Sequence, residues 1–189
     1  MKTDEQLIRD IASGDENAFT QIVTRYQKKV LNLCYRFSRD PYAAEDATQE
    51  VFLKVWKSAG RFLNQSMFST WLYRIAVNTC LNQKITPRQK PSANEWSGEP
   101  QNVELTVETM LTPSQILEKE ERELRVQDAI SRLPGNQRTA IILSRFEGHS
   151  YDEISAIMNV SRSAVESLLF RAKQNLLKYL QPLKEKNEI

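Results

Sequence analysis

Apolar positions recur every three to four residues over most of the chain, and nowhere alternate as a strand requires. From Asp4 to Ser13, Leu7, Ile8, Ile11 and Ala12 form one stripe, broken by Gly14-Asp15. From Asn17 to Arg39, Ile22, Tyr26, Val30, Leu33 and Phe37 keep the same spacing. Asp40-Pro41 reads as a turn leading into a helix, because proline fits the first helical turn. That helix is predicted over Tyr42–Ala59, ended by Gly60, and a fourth runs from about Ser69-Thr70 to Lys84. The spacing resumes at Ser114 and continues to Arg132, where Leu133-Pro134-Gly135 stops it. A helix over Arg138–Glu147 follows, ended by Gly148. Ser150 and Glu153 make a capping box for a short helix over Tyr151–Met158. Asn159-Val160 is a tight turn, and Ser161 or Ser163 caps a last helix reaching about Leu180. Ser163 and Glu166 offer a second possible capping box. The expected fold is all-α.

Between the two helical parts the pattern disappears. Pro87 to Pro113 holds four of the seven prolines and few regularly spaced apolar residues. It is predicted to be a flexible linker, with Trp96 and Val103–Leu105 able to dock on a neighbour. The predicted division is 1–86, a linker over 87–113, and 114–189. Charge follows similar divisions: residues 1–88 are net +4, 89–113 are −3 and 114–189 are +1, within an overall +2. So small a net charge does not by itself indicate nucleic acid. Particular helix faces must carry that case.

Composition excludes more than it proposes. No apolar run nears the roughly 20 residues of a membrane helix, and the N-terminus MKTDEQLIRDI lacks a signal peptide's apolar centre. One histidine and five glycines argue against a histidine metal site, a triad or a glycine-rich phosphate loop. No convergent acid/base or metal set is visible, so no catalytic residue, metal or cofactor is expected and the chain is read as a non-enzyme. Cys34 and Cys80 lie in apolar-periodic segments and are expected to be core thiols in a reducing compartment.

A short helix, a turn of about three residues and a longer helix make a helix-turn-helix pattern. On the last helix, Val165, Leu168, Leu169, Ala172 and Leu176 gather on one side at about 100° per residue. The other side presents Ser163, Glu166, Ser167, Phe170, Arg171 and Gln174. Phe170 opposite the core face is costly to leave wet unless it contacts something. In a major groove an aromatic ring packs on a thymine methyl, Arg171 forks onto guanine and Glu166 accepts from cytosine. Arg162 and Lys173 are placed for phosphates, which position a helix without reading sequence.

Two N-terminal features also need partners. The third helix directs Ala44, Ala47, Val51, Phe52 and Val55 inward, and Asp46, Gln49, Glu50, Leu53 and Lys57 outward. A polar stripe around one exposed leucine has the anatomy of a small protein interface. The segment Arg61–Trp71 mixes aromatic and amide side chains, as an unstacked base requires. It equally fits a loop capping the core. Trp71, Arg74, Asn78 and Asn82 share one face of the helix that follows.

Three stretches, DATQEVFLKVW (46–56), FSTWLYRIAVN (68–78) and EGHSYDEI (147–154), occur in this order over the chain. Together they resemble the bacterial sigma factors of the extracytoplasmic-function group, and the resemblance covers essentially the whole chain. It implies sigma domains two and four joined by a linker. It implies core RNA polymerase and promoter DNA as partners. Asp46, Gln49 and Glu50, with Leu53 alongside, would dock on the clamp helices of the polymerase's largest subunit. The loop Phe62–Phe68, with Asn64 and with Trp71, Arg74 and Asn78 on the helix behind, would trap a flipped base of the minus-ten element. Ser163, Glu166, Ser167, Phe170 and Arg171, flanked by Arg162 and Lys173, would read the minus-thirty-five element. The resemblance also implies an anti-sigma protein, a cytoplasmic location, no membrane insertion and no small-molecule substrate. Glu166 stands where many relatives carry arginine, and Leu63-Asn64-Gln65 departs from their Arg-Gly-Asp-like loop, which implies a different recognised sequence. Two alternatives are a stand-alone helix-turn-helix regulator and a decoy that occupies polymerase without opening DNA.

Overall fold

The computed structural model describes residues 2–64, 66–82 and 113–185, so the predicted linker lies outside the described residues except for Pro113, which is helical. Eight α-helices appear among them: α1 (Asp4–Ala12), α2 (Glu16–Ser38), α3 (Pro41–Ser58), α4 (Phe68–Asn82), α5 (Pro113–Ser131), α6 (Gly135–Ile141), α7 (Tyr151–Met158) and α8 (Arg162–Glu185). One 3-10 turn over Ala59–Arg61 follows α3, and a π-helical turn over Ile142–Phe146 follows α6. No strand occurs among the described residues. The all-α expectation therefore holds.

Local chemistry sets most of the helix starts. Asp15 accepts from the Asn17 and Ala18 amides at 2.8 and 3.1 Å to open α2. Asp40 does the same for Tyr42 and Ala43 at 2.9 and 3.2 Å, with Pro41 in the first turn of α3. The predicted box at α7 is present: Ser150 Oγ accepts from Glu153 N at 3.3 Å, and Glu153 Oε2 accepts from Ser150 N at 2.8 Å. These Ser150 donors hold the Glu153 carboxyl below its ordinary range. The cap's contribution is therefore complete above that range and fades as pH falls through the lowered value. Ser150→Ala is expected to cost about 1 kcal/mol, read as a shift in the urea midpoint.

The largest departure from the predicted boundaries is around α6, and at α8 the structure selects one of the two predicted caps. α6 begins at Gly135, not Arg138, because Pro134 opens a new helix as well as closing the old one. The predicted regular helix to Glu147 widens instead into the π-helical turn, with Glu147 N bonded to Ile142 O at 3.2 Å. One added residue rotates the following side chains by about 100°, turning Phe146 and Glu147 toward α2. At α8 the cap is Ser161, which accepts from Ala164 N at 3.2 Å; Ser163 already lies inside the helix.

Helices α1–α4 bury Leu7, Ile22, Leu33, Phe37, Val51, Phe68 and Leu72, and α6–α8 bury Ile142, Leu143, Ile154, Ile157 and Val165. The two groups form one continuous apolar cluster, joined where α4 packs on α7. At Gly135 an added Cβ would lie 3.3 Å from Leu81 Cδ2, so a residue without a side chain lets the end of α4 approach the start of α6. Cys34 and Cys80 are buried free thiols, with Sγ atoms 3.7 Å apart between α2 and α4.

Candidate functional site

The α7-turn-α8 unit is held locally. Asn159 takes the left-handed conformation at φ 55° and donates its N–H to Ser155 O. Ser155 Oγ then donates to Val160 O at 2.6 Å, closing the turn from the other side. Val165, Leu169 and Ala172 anchor α8 in the core. Ser163, Glu166, Ser167, Arg171, Lys173 and Gln174 are exposed, and Phe170 is 64% exposed. The predicted reading face is thus presented to solvent as one surface. Leu177, one heptad beyond Phe170 on the same side, is also exposed. The helical period identifies it once Phe170 is known to face outward.

Arg162 has a different setting from the expected free phosphate contact. Its Nη1 bonds both carboxylate oxygens of Asp152, at 3.0 and 2.9 Å, and its Nε lies 3.5 Å from Glu166. The pair ties the start of α8 to α7, so this guanidinium is already engaged within the chain.

On α3, Asp46 and Gln49 are exposed and Leu53 is 55% exposed, as the stripe predicts. Glu50 is half-buried and pairs with Lys54 at 2.6 Å, which also donates to Thr79 on α4 at 3.0 Å. Tyr42, at 69% exposure, joins this face. It lies four residues before Asp46, so Tyr42, Asp46, Gln49 and Leu53 form one line along the helix.

The predicted minus-ten residues divide into two groups. Asn64, at φ 52°, and Asn78 are exposed, and Trp71 is half-buried against Phe62, with ring centroids 5.3 Å apart. Phe68, by contrast, is completely buried, with its ring 5.4 Å from Tyr26 and 5.9 Å from Trp71. It is a core residue here and does not offer a surface to a base. The apolar groups that the loop does expose are Leu63 and Met67. Phe68 lies with Leu72 and Ala76 on the buried side of α4, and Met67 precedes the helix in solvent. Arg74 is engaged within the chain, donating through Nη2 to the carbonyl of Ala156 on α7.

Nothing among the described residues groups three or more His, Cys, Asp or Glu in a way that could hold a metal ion. No described helix is long and apolar enough to cross a membrane.

An exposed helix-turn-helix face with one aromatic, a polar stripe around a leucine and an aromatic-amide loop, all on a helical fold, are the surfaces of a binding protein. Comparison with known proteins agrees. Residues 22–85 match Sigma-70 region 2 and residues 123–176 match Sigma-70 region 4. The chain is 36% identical to the RNA polymerase sigma-H factor of Pseudomonas aeruginosa over 183 residues, covering 95% of each. It is 37% identical to the ECF RNA polymerase sigma-E factor of Escherichia coli K12 over 186 residues, covering 96% of each. The chain belongs to the sigma-70 family, within its extracytoplasmic-function (ECF) group. It is a sigma factor that directs RNA polymerase. The same fold occurs in CnrH, solved in complex with the cytosolic domain of CnrY, at TM-score 0.69 and 23% identity over 96% of this chain and 99% of that one. It occurs also in the sigma factor RpoE of Bartonella quintana, solved with the anti-sigma factor NepR, at TM-score 0.59 and 21% identity over 86% and 96%.

Proposed function

We propose a division of labour among the three surfaces. The line Tyr42–Asp46–Gln49–Leu53, with Glu50 beside it, docks on core polymerase. The loop before α4, with Trp71, Arg74 and Asn78, receives the unstacked minus-ten strand. The outer face of α8 reads the minus-thirty-five duplex. The observation that carries this reading is Phe170, exposed between Ser167 and Arg171 on a helix whose other side is anchored in the core. A wet aromatic ring at the centre of a polar face is explained by a groove partner.

Each surface alone binds weakly. Joined through one chain and polymerase, they act at high effective concentration on one promoter. Flipping a base costs about a few kcal/mol, offset by stacking and pocket hydrogen bonds. The domain division 1–86, 87–113 and 114–189 and a cytoplasmic location belong to the same proposal. So does an anti-sigma partner, as found with the Bartonella quintana sigma factor RpoE.

The test is transcription in vitro with core polymerase and genomic DNA of the source, followed by mapping of 5′ ends. A discrete set of new starts preceded by two shared short elements supports the reading. Core binding without new starts supports a decoy, and duplex binding without core supports a stand-alone regulator. Arg171→Ala is expected to lose about 1–3 kcal/mol of discrimination at one minus-thirty-five position. It should therefore lower transcription by about 5- to 150-fold from an intact promoter and little from one mutated at that element. Equal loss on both templates would show that Arg171 does not read this element.

A further inference from the structure

A cation at the edge of the α3 stripe is tethered to the interior. Lys54 Nζ lies 2.6 Å from Glu50 Oε1 and donates to Thr79 Oγ1 on α4 at 3.0 Å. Thr79 is completely buried, and its hydroxyl donates in turn to Ile75 O at 2.8 Å. That donation fixes the rotation of the hydroxyl, so the lone pair that receives Lys54 has a set direction. The contacts thus run from the α4 backbone, through Thr79 and Lys54, to a carboxylate flanked on α3 by Asp46 and Leu53.

Glutamate and lysine four residues apart on a helix attract each other, but such a pair alone is worth little and leaves both side chains mobile. The Thr79 anchor changes that. Phe68, Leu72 and Ala76 hold α4 in the core, so the anchor belongs to the tertiary structure and not to α3. With Nζ placed by Thr79, Glu50 faces a cation in a fixed position. Both long side chains are ordered before any partner arrives, and ordering such side chains is one of the costs of forming an interface. Packing alone would be served at this site by a valine of the same shape. What the hydroxyl adds is the contact with Lys54.

We propose that Lys54 is a positioning residue for polymerase docking. It holds the Glu50 carboxylate at a set place beside the Leu53 line and takes its own place from the Thr79 hydroxyl. This rests on the proposed docking role of α3.

The test measures competition of full-length variants with a second sigma factor for a limiting amount of core polymerase. Thr79 is the decisive position because, being buried, it cannot touch the polymerase. Thr79→Val removes the anchor and keeps the shape, whereas Thr79→Ser keeps the anchor and loses a methyl group. Thr79→Val is expected to weaken core binding about 2- to 12-fold, the cost of ordering one freed side chain on binding. Thr79→Ser is expected to bind as the wild type does. Urea unfolding should give the opposite order, since Thr79→Ser empties buried space and Thr79→Val does not. A purely structural role would make affinity follow stability. Lys54→Met, which keeps the aliphatic stem, is expected to match Thr79→Val, and in a Glu50→Ala background neither change should weaken binding further. If Glu50→Ala weakens core binding and Thr79→Val does not, the positioning role is overturned and the docking face stands. Undiminished competition by Glu50→Ala as well overturns both. A Thr79→Val loss that persists in full without the Glu50 carboxylate also overturns the proposal. If circular dichroism shows that Thr79→Val loses helicity, the cycle of Lys54→Met and Glu50→Ala decides by the same rule.

Discussion

Phe68→Ala is expected to destabilise the N-terminal bundle by about 3–5 kcal/mol, the range for emptying a buried aromatic site. Phe68 is completely buried at the first residue of α4, ringed by Tyr26, Phe62 and Trp71. Removing its ring leaves a cavity that these neighbours fill only in part, and α4 loses the contact that fixes its start. Met67→Ala, one residue away at 68% exposure, is expected to change stability by only about 0.5 kcal/mol or less. Urea unfolding of the two variants, followed by circular dichroism, makes the comparison. A wild-type midpoint for Phe68→Ala, combined with loss of promoter opening, would return Phe68 to the DNA surface. The contrast matters because the family resemblance implies base contacts for the aromatic residues of this loop. Only some of them have a free face.

Leu53→Asp is expected to weaken binding to core polymerase about 30-fold or more, the scale of an interface hot spot. Leu53 is the apolar group in a line otherwise made of Tyr42, Asp46 and Gln49, and more than half of it is open to solvent. An interface of this composition buries its apolar residue at the centre and leaves polar groups at the rim. A carboxylate in that central place must be desolvated without a partner. The fold loses almost nothing, since α3 is anchored by Ala47, Val51 and Val55 on its opposite side. Competition with a second sigma factor for a limiting amount of core measures the effect, with thermal unfolding as the control. Undiminished competition would remove this face from the polymerase interface.

These two variants also mark the limit of sequence reading. Leu53 was legible because a lone leucine interrupts a polar stripe, and its exposure depends only on the phase of one helix. Phe170 was legible for the same reason. Phe68 was not, because the loop's aromatics could equally stack on bases or cap the core. Tyr42 sits on the Leu53 line but next to the predicted turn, where the phase of the helix is least certain.

The chain's own pattern determined the all-α class, the helix-turn-helix with its capping box, the polar stripe with an exposed Leu53 on α3 and the exposed polar face of α8. These follow from periodicity and local hydrogen bonding within a few residues, which a sequence records directly. Tertiary structure alone decided that Phe68 is interior, that Arg162 is held by Asp152, and that Arg74 is bound by Ala156, 82 residues along the chain. It alone decided that α6 and the π-helical turn bring Glu147 to Arg36 and Tyr73. Such pairings depend on how two bundles meet, and no local spacing carries that information.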